Sequence, residues 1–126
     1  GKVGTMVLIE ASGDDVAASD VMKQAAGDIA MHITAAKPAA LDKEGIGADV
    51  IEREKGIFAE QVKNKPAEII EKIVEGKMNK FFAENCLLSQ LFVKDDSKSV
   101  GEVVSDAAKQ AGGEAAVKNF VRFEVG

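Results

Sequence analysis

The sequence predicts an α+β fold: a small antiparallel sheet packed against helices, with a protruding antiparallel helical hairpin. Three observations carry this. A strongly apolar run, Val3 to Glu10, stands at one end of the chain, and an alternating run, Val117 to Val125, stands at the other. Between them apolar residues recur at helical spacing. Within residues 48–84, two amphipathic stretches are separated only by Lys63-Asn64-Lys65-Pro66, a connection so short that the helices must be antiparallel neighbours.

Val3-Gly-Thr-Met-Val-Leu-Ile-Glu10 is apolar at odd and even positions alike and reads as a strand buried on both sides. Ser12-Gly13-Asp14-Asp15 is a turn with capping residues. Val16 to Ala36 reads as one helix, with Ala18, Val21, Met22, Ala25, Ile29, His32, Ile33 and Ala36 on a single stripe. Met31 projects away from that stripe and is a candidate contact residue. Pro38 ends the helix, because the residue before a proline avoids the α region.

Residues 39–48 form a loop. Asp49 is the expected N-cap of the next helix, with Glu52 completing a capping box. Ile57, Phe58, Gln61 and Val62 continue its inward face. Pro66 suits the start of the second hairpin helix, where its missing N–H costs nothing. There Ile69, Ile70, Ile73, Val74, Lys77, Met78, Phe81 and Phe82 recur at helical spacing. This stripe is too wide for an arm exposed along its whole length, so its latter half is expected to enter the body of the domain.

Leu87 to Lys94 loses the helical period and reads as extended, followed by a turn at Asp95-Asp96-Ser97-Lys98. Ser99 and Glu102 form a second capping box, opening a helix through Val100, Val103, Val104, Ala107 and Ala111, which Gly112-Gly113 stops. In the closing strand Asn119, Val121, Phe123 and Val125 share one face, and Phe120, Arg122 and Glu124 the other. The two long strands are expected to pair. Two strands alone are marginal, so a third is expected from Leu87–Lys94, from residues preceding Gly1 or from another chain.

The chain of 126 residues suffices for one domain, and a globule of this size buries roughly two-thirds of its unfolded surface. Apolar residues make up 46% and charged residues 29%, the balance of a folded soluble protein. With six Phe and neither Trp nor Tyr, aliphatic side chains must supply most of the core. The net charge of −5 argues against a nucleic-acid or anionic-membrane surface. Lysines do gather from Lys63 to Lys80, but Glu68, Glu71 and Glu75 interleave with them, as on a solvated helix face. No apolar run is long enough to span a membrane and no signal peptide is visible, so a cytoplasmic protein is expected. The start at Gly1-Lys2 suggests a fragment or a processed product.

Catalytic equipment is missing. There is no phosphate-binding loop of the GxxxxGK[ST] or GxGxxG type. Asp14-Asp15 and Asp95-Asp96 stand at predicted turns, where capping explains them better than metal binding. The lone Cys86 lies in an apolar context and reads as a buried structural thiol. His32 is the only histidine, yet it sits between Ile29 and Ile33 on the apolar stripe, where a packed ring with one bonded nitrogen outweighs a general base. No catalytic residue, metal or cofactor is assigned, and an enzyme is not expected.

Four stretches, in order, carry a family resemblance: Ile29-Ala-Met-His-Ile-Thr-Ala-Ala-Lys-Pro38; Val50-Ile-Glu-Arg-Glu54; Lys65-Pro66 with Ile69-Ile-Glu-Lys-Ile-Val-Glu-Gly-Lys-Met78 and Phe81; and Phe120-Val-Arg-Phe-Glu-Val-Gly126. Phe92-Val93-Lys94 and Ser99-Val100-Gly101 join them. Together they span essentially the whole chain, which resembles bacterial elongation factor Ts. The resemblance implies a guanine-nucleotide exchange factor of translation elongation whose partner is elongation factor Tu. It implies that residues 1–126 are one core subdomain, the second of two related ones, with a coiled-coil hairpin inserted at 48–84. It matches Phe92, Val93 and Lys94 to a Tu-contacting stretch, in which Leu91 replaces the usual proline. The family's Thr-Asp-Phe-Val motif, which disturbs the magnesium site of Tu, and its His-Gly strand do not occur in these 126 residues. The expected function is therefore Tu binding through Phe92, Val93, Lys94 and Met31, contributing to GDP exchange. The alternative is a self-associating homodimer module, because some family members pair through this core and a short sheet has open edges.

Overall fold

The computed structural model describes residues 2–125, and its main sheet is made from the two ends of the chain. Strand β1 (Lys2–Ala11) pairs antiparallel with β4 (Ala115–Val125). The register runs from Lys2 opposite Val125 to Ala11 opposite Ala115, with a bulge between Leu8 and Ile9. The bulge makes Lys118 the extra residue and shifts the alternation, so that Val117 and Phe120 both face the helices. The other face is open, and here the expectation for β1 fails. Val7 and Ile9 pack on the core, but Met6 and Leu8 are 65% and 61% exposed. An apolar run says that both faces can be covered, not that both are.

The single helix expected from Val16 to Ala36 is two: α1 (Asp14–Ala17) and α2 (Asp20–Ala36). Ser19 makes the break. Its Oγ accepts from the Met22 amide at 3.3 Å and donates to the Val16 carbonyl at 2.7 Å, a cap that competes with continuous helix. Past Ser19 the stripe holds, with Met22, Ala25, Ile29, His32 and Ile33 buried. The helix ends before Pro38 as expected, but Lys37 is left-handed (φ 51, ψ 56) rather than extended, its amide donating to the Ile33 carbonyl at 3.0 Å.

The hairpin consists of α3 (Ala48–Gln61) and α4 (Ala67–Asn85). Asp49 is not the cap. Gly47 takes that place without a side-chain bond, and Asp49 lies in the first turn, where its charge complements the helix dipole. Pro66 precedes α4, its carbonyl accepting from the Ile69 and Ile70 amides at 3.0 Å each. Met78 is the one buried residue in the two helices, and Lys63 to Pro66 are all exposed. At the base, the Ala39 amide donates to the Asn85 carbonyl at 2.8 Å and the Leu87 amide to the Ala40 carbonyl at 2.8 Å. The outgoing and returning chain are thus clamped side by side.

Leu87–Ser89 is one turn of 3-10 helix, and only Leu91–Phe92 (β2) is extended. The turn falls at Val93-Lys94, and Asp95–Ser99, expected to be the turn, is strand β3, antiparallel to β2. Asp95 spends its turn-forming capacity locally, its carboxylate accepting from the Ser97 amide at 3.1 Å while the strand continues. This hairpin is a separate two-stranded sheet and does not extend β1–β4. Helix α5 (Val100–Gln110) opens with the expected capping box of Ser99 and Glu102 and is followed by Gly112 at φ 85.

Helices α2 and α5 cover the inner face of the main sheet. Ile29 and Ile33 of α2, Val100 and Val104 of α5, Leu87, Phe92 and Val117 form one buried cluster. Val16, Met22, Ala25, Ala107 and Ala108 form a second. Cys86 is free and buried, and desolvation, reinforced by the Asp42 and Glu44 carboxylates, pushes its thiol pKa up, as suits an inert structural residue.

Candidate functional site

The turn between β2 and β3 lies across α2 and is anchored to it at two points. Beneath the turn, the His32 ring is completely buried. Its Nδ1 accepts from the Val93 backbone amide at 3.2 Å, and its Nε2 is 2.8 Å from Gln90 Oε1. The Phe92 ring stacks on it, with centroids 6.0 Å apart. One helical turn earlier, Asp28 Oδ1 receives Lys94 Nζ at 2.8 Å. A buried ring and a surface ion pair on the same helix thus fix consecutive residues of the turn.

Of the four residues singled out from sequence, three reach the surface. Val93 is 51% and Met31 59% exposed, and Lys94 is exposed beside its ion pair. Phe92 turns inward and belongs to the main core cluster, so it supports the turn from behind. Met31 lies on α2 in the stretch between Asp28 and His32, the two residues that anchor the turn, and its side chain is exposed. Leu91, 62% exposed, adds to the apolar character of this edge.

Two contributors escape a sequence reading. Among the described residues Gln90 is the other buried polar side chain, and its Nε2 donates to the Glu84 carbonyl at 2.8 Å. The available signal was a lone glutamine in the run Leu87-Leu88-Ser89-Gln90-Leu91-Phe92. Asp28 gave no signal, because its partner lies 66 positions away. Among the described residues no buried side-chain nitrogen or oxygen lacks a partner, and no group of His, Cys, Asp or Glu is placed to hold a metal ion.

A second surface is the open face of the main sheet, where Met6, Leu8, Val121, Phe123 and Val125 are exposed together. The Phe123 ring lies directly on Gly4, its cross-strand partner, where any Cβ would collide with it. On the inner side Arg122 ties the sheet to α2, its Nε donating to the Thr34 carbonyl at 3.3 Å. Arg122 also pairs with Glu124 at 2.8 Å, and that hydrogen bond holds the Glu124 carboxyl below its usual range.

Comparison with known proteins decides the family. The family model described as Elongation factor TS matches residues 1–126. The chain belongs to the elongation factor Ts family. Relatives of that name include one from a Nitratiruptor species, 51% identical over all of this chain and 41% of the relative. Elongation factor Ts of Thermodesulfovibrio yellowstonii is 44% identical over 99% of the chain and 63% of its own length. That of Fervidobacterium nodosum is 41% identical over all of the chain and 65% of its own length. The chain therefore spans between two-fifths and two-thirds of these elongation factor Ts sequences. Among the described residues no helix is long and apolar enough to cross a membrane.

Proposed function

We propose that this chain binds elongation factor Tu through the surface of Val93, Lys94 and Met31, with Phe92 holding the turn from within, and so contributes to guanine-nucleotide exchange. The observation that carries this is the pinned turn: Val93 stands half exposed, while its own amide is held by a fully buried histidine. An exposed apolar residue on an immobilised backbone loses little freedom on binding, which is what a contact anchor needs. Residues 1–126 then act as one core unit with the hairpin inserted at 48–84. Exchange is a linkage effect: a partner that binds the nucleotide-free GTPase more tightly weakens nucleotide binding by the same factor.

The test is the affinity of nucleotide-free Tu for Val93→Ala and Met31→Ala, with a melting curve beside each. Loss of about 1–3 kcal/mol of binding at unchanged melting temperature is expected for at least Val93. Unchanged affinity in both variants refutes the assignment. Phe92→Ala is unsuitable, because it empties core volume and lowers stability by about 3–5 kcal/mol. Release of a fluorescent GDP from Tu supplies the second arm. The 126 residues lack the Thr-Asp-Phe-Val segment to which the resemblance ascribes disturbance of the magnesium site, so this polypeptide alone is expected to bind yet accelerate release poorly.

The open apolar face of β1 and β4 favours a second reading, self-association through this core. Mass measured by sedimentation across a concentration series separates the two: a dimer lost on Phe123→Ser or Met6→Ser supports it, and a concentration-independent monomer removes it.

A further inference from the structure

We propose that His32 is a positioning residue for the partner-contact turn, acting as the neutral Nε2–H tautomer in a one-directional relay that ties Val93 to the base of the helical hairpin. The inference rests on the reading of Val93 and Lys94 as contacts. A backbone amide can only donate, so the Val93 N–H at 3.2 Å makes Nδ1 the acceptor. The ring proton then sits on Nε2 and is donated to Gln90 Oε1 at 2.8 Å. That bond sets the orientation of the Gln90 amide, whose Nε2 donates to the Glu84 carbonyl in the last turn of α4 at 2.8 Å. Every donor in the series points the same way, from the turn through α2 to α4, and aligned bonds strengthen one another, most of all at the buried His32–Gln90 step. His32 and Gln90 are the buried polar side chains of the described residues, and the relay uses both. Both nitrogens of a fully buried ring need partners, and here they are the Val93 amide in the turn and the Gln90 oxygen that leads to α4.

The two ring nitrogens can be tested separately. Asparagine places an acceptor oxygen at the same bond distance from Cα as Nδ1, and glutamine places an N–H donor at the distance of Nε2. His32→Asn therefore keeps the acceptor for Val93, and His32→Gln keeps only the reach toward Gln90. In the free protein, exchange of the Val93 amide is expected to accelerate about tenfold in His32→Gln, equivalent to about 1.4 kcal/mol, and to stay near wild type in His32→Asn. Affinity for Tu should follow the same order. Nitrogen-15 spectra of wild type should show Nε2 protonated and Nδ1 bare, a readout that needs no variant to fold. A protonated Nδ1, or equal Val93 exchange in the two variants, overturns the proposal. If Val93 exchange separates the variants while Val93→Ala leaves Tu binding intact, the contact assignment fails and the positioning role stands.

Discussion

Asp106 and Lys98 form an exposed pair at 2.8 Å that links β3 to α5, and it makes stability depend on acidity in a defined direction. The hydrogen bond from Lys98 holds the Asp106 carboxyl below its ordinary 3.8, and the same bond raises Lys98 above 10.5. A depressed carboxylate contributes fully above its unfolded value and loses that contribution as pH falls through the folded one. A raised lysine contributes fully below its unfolded value and loses it as pH rises through the folded one. Asp106→Asn should therefore melt slightly below wild type at neutral pH, with the gap closing as pH drops below 3.8. Molar salt should also shrink it, because both groups are exposed. A gap that persists in acid would mean that the carboxamide disturbs something other than the pair. At this scale the sequence was readable where a residue declares its own environment. His32 on an apolar stripe is buried, and Met31 off it is exposed. It was silent on Gln90 and Asp28, whose roles depend on partners that only the fold supplies.

Among the elements, those with strong periodicity were legible and those set by local competition were not. Both hairpin helices, the Ser99–Glu102 capping box and the faces of β4 beyond its bulge, from Asn119 onward, follow from spacing alone. The break at Ser19 and the strand at Asp95–Ser99 do not, because there a side-chain oxygen bonds a nearby backbone group and overrides propensity. The hairpin also predicts a gradient. Met78 is buried near its base, Phe81 and Phe82 are half-buried and contact edge to face, and the tip from Lys63 to Pro66 is exposed. Between the two helices Lys77 Nζ donates to Gln61 Oε1 at 3.0 Å in an exposed bond and lies 5.5 Å from the centre of the half-buried Phe58 ring. Amide exchange should be little protected at the tip and approach the global value from Met78 to Phe82. Uniform protection along both helices would show that the arm is held along its whole length.

For the whole molecule, the pairing of the chain ends was legible because these were the two long β-rich runs. Which face would stay open was not, since a two-stranded sheet under two helices has apolar residues on both sides. The clamp at the hairpin base has a consequence in polymer terms. The chain leaves at Ala40 and returns at Cys86, roughly 45 residues later, to a point bridged to its departure. Everything between is, for the core, a loop whose ends are already closed by backbone bonds rather than by the arm itself. Loop-closure entropy varies only logarithmically with length, so halving this loop changes the core by about 0.6 kcal/mol, in the favourable direction. Replacing residues 47–76 by a short Gly/Ser linker, with Met78 and the clamp retained, should leave a core that melts cooperatively at or slightly above the parent temperature. If that variant is unfolded, the arm is part of the core's own stability. If it folds, length and sequence beyond the clamp are free to vary without the sheet and its helices registering the change.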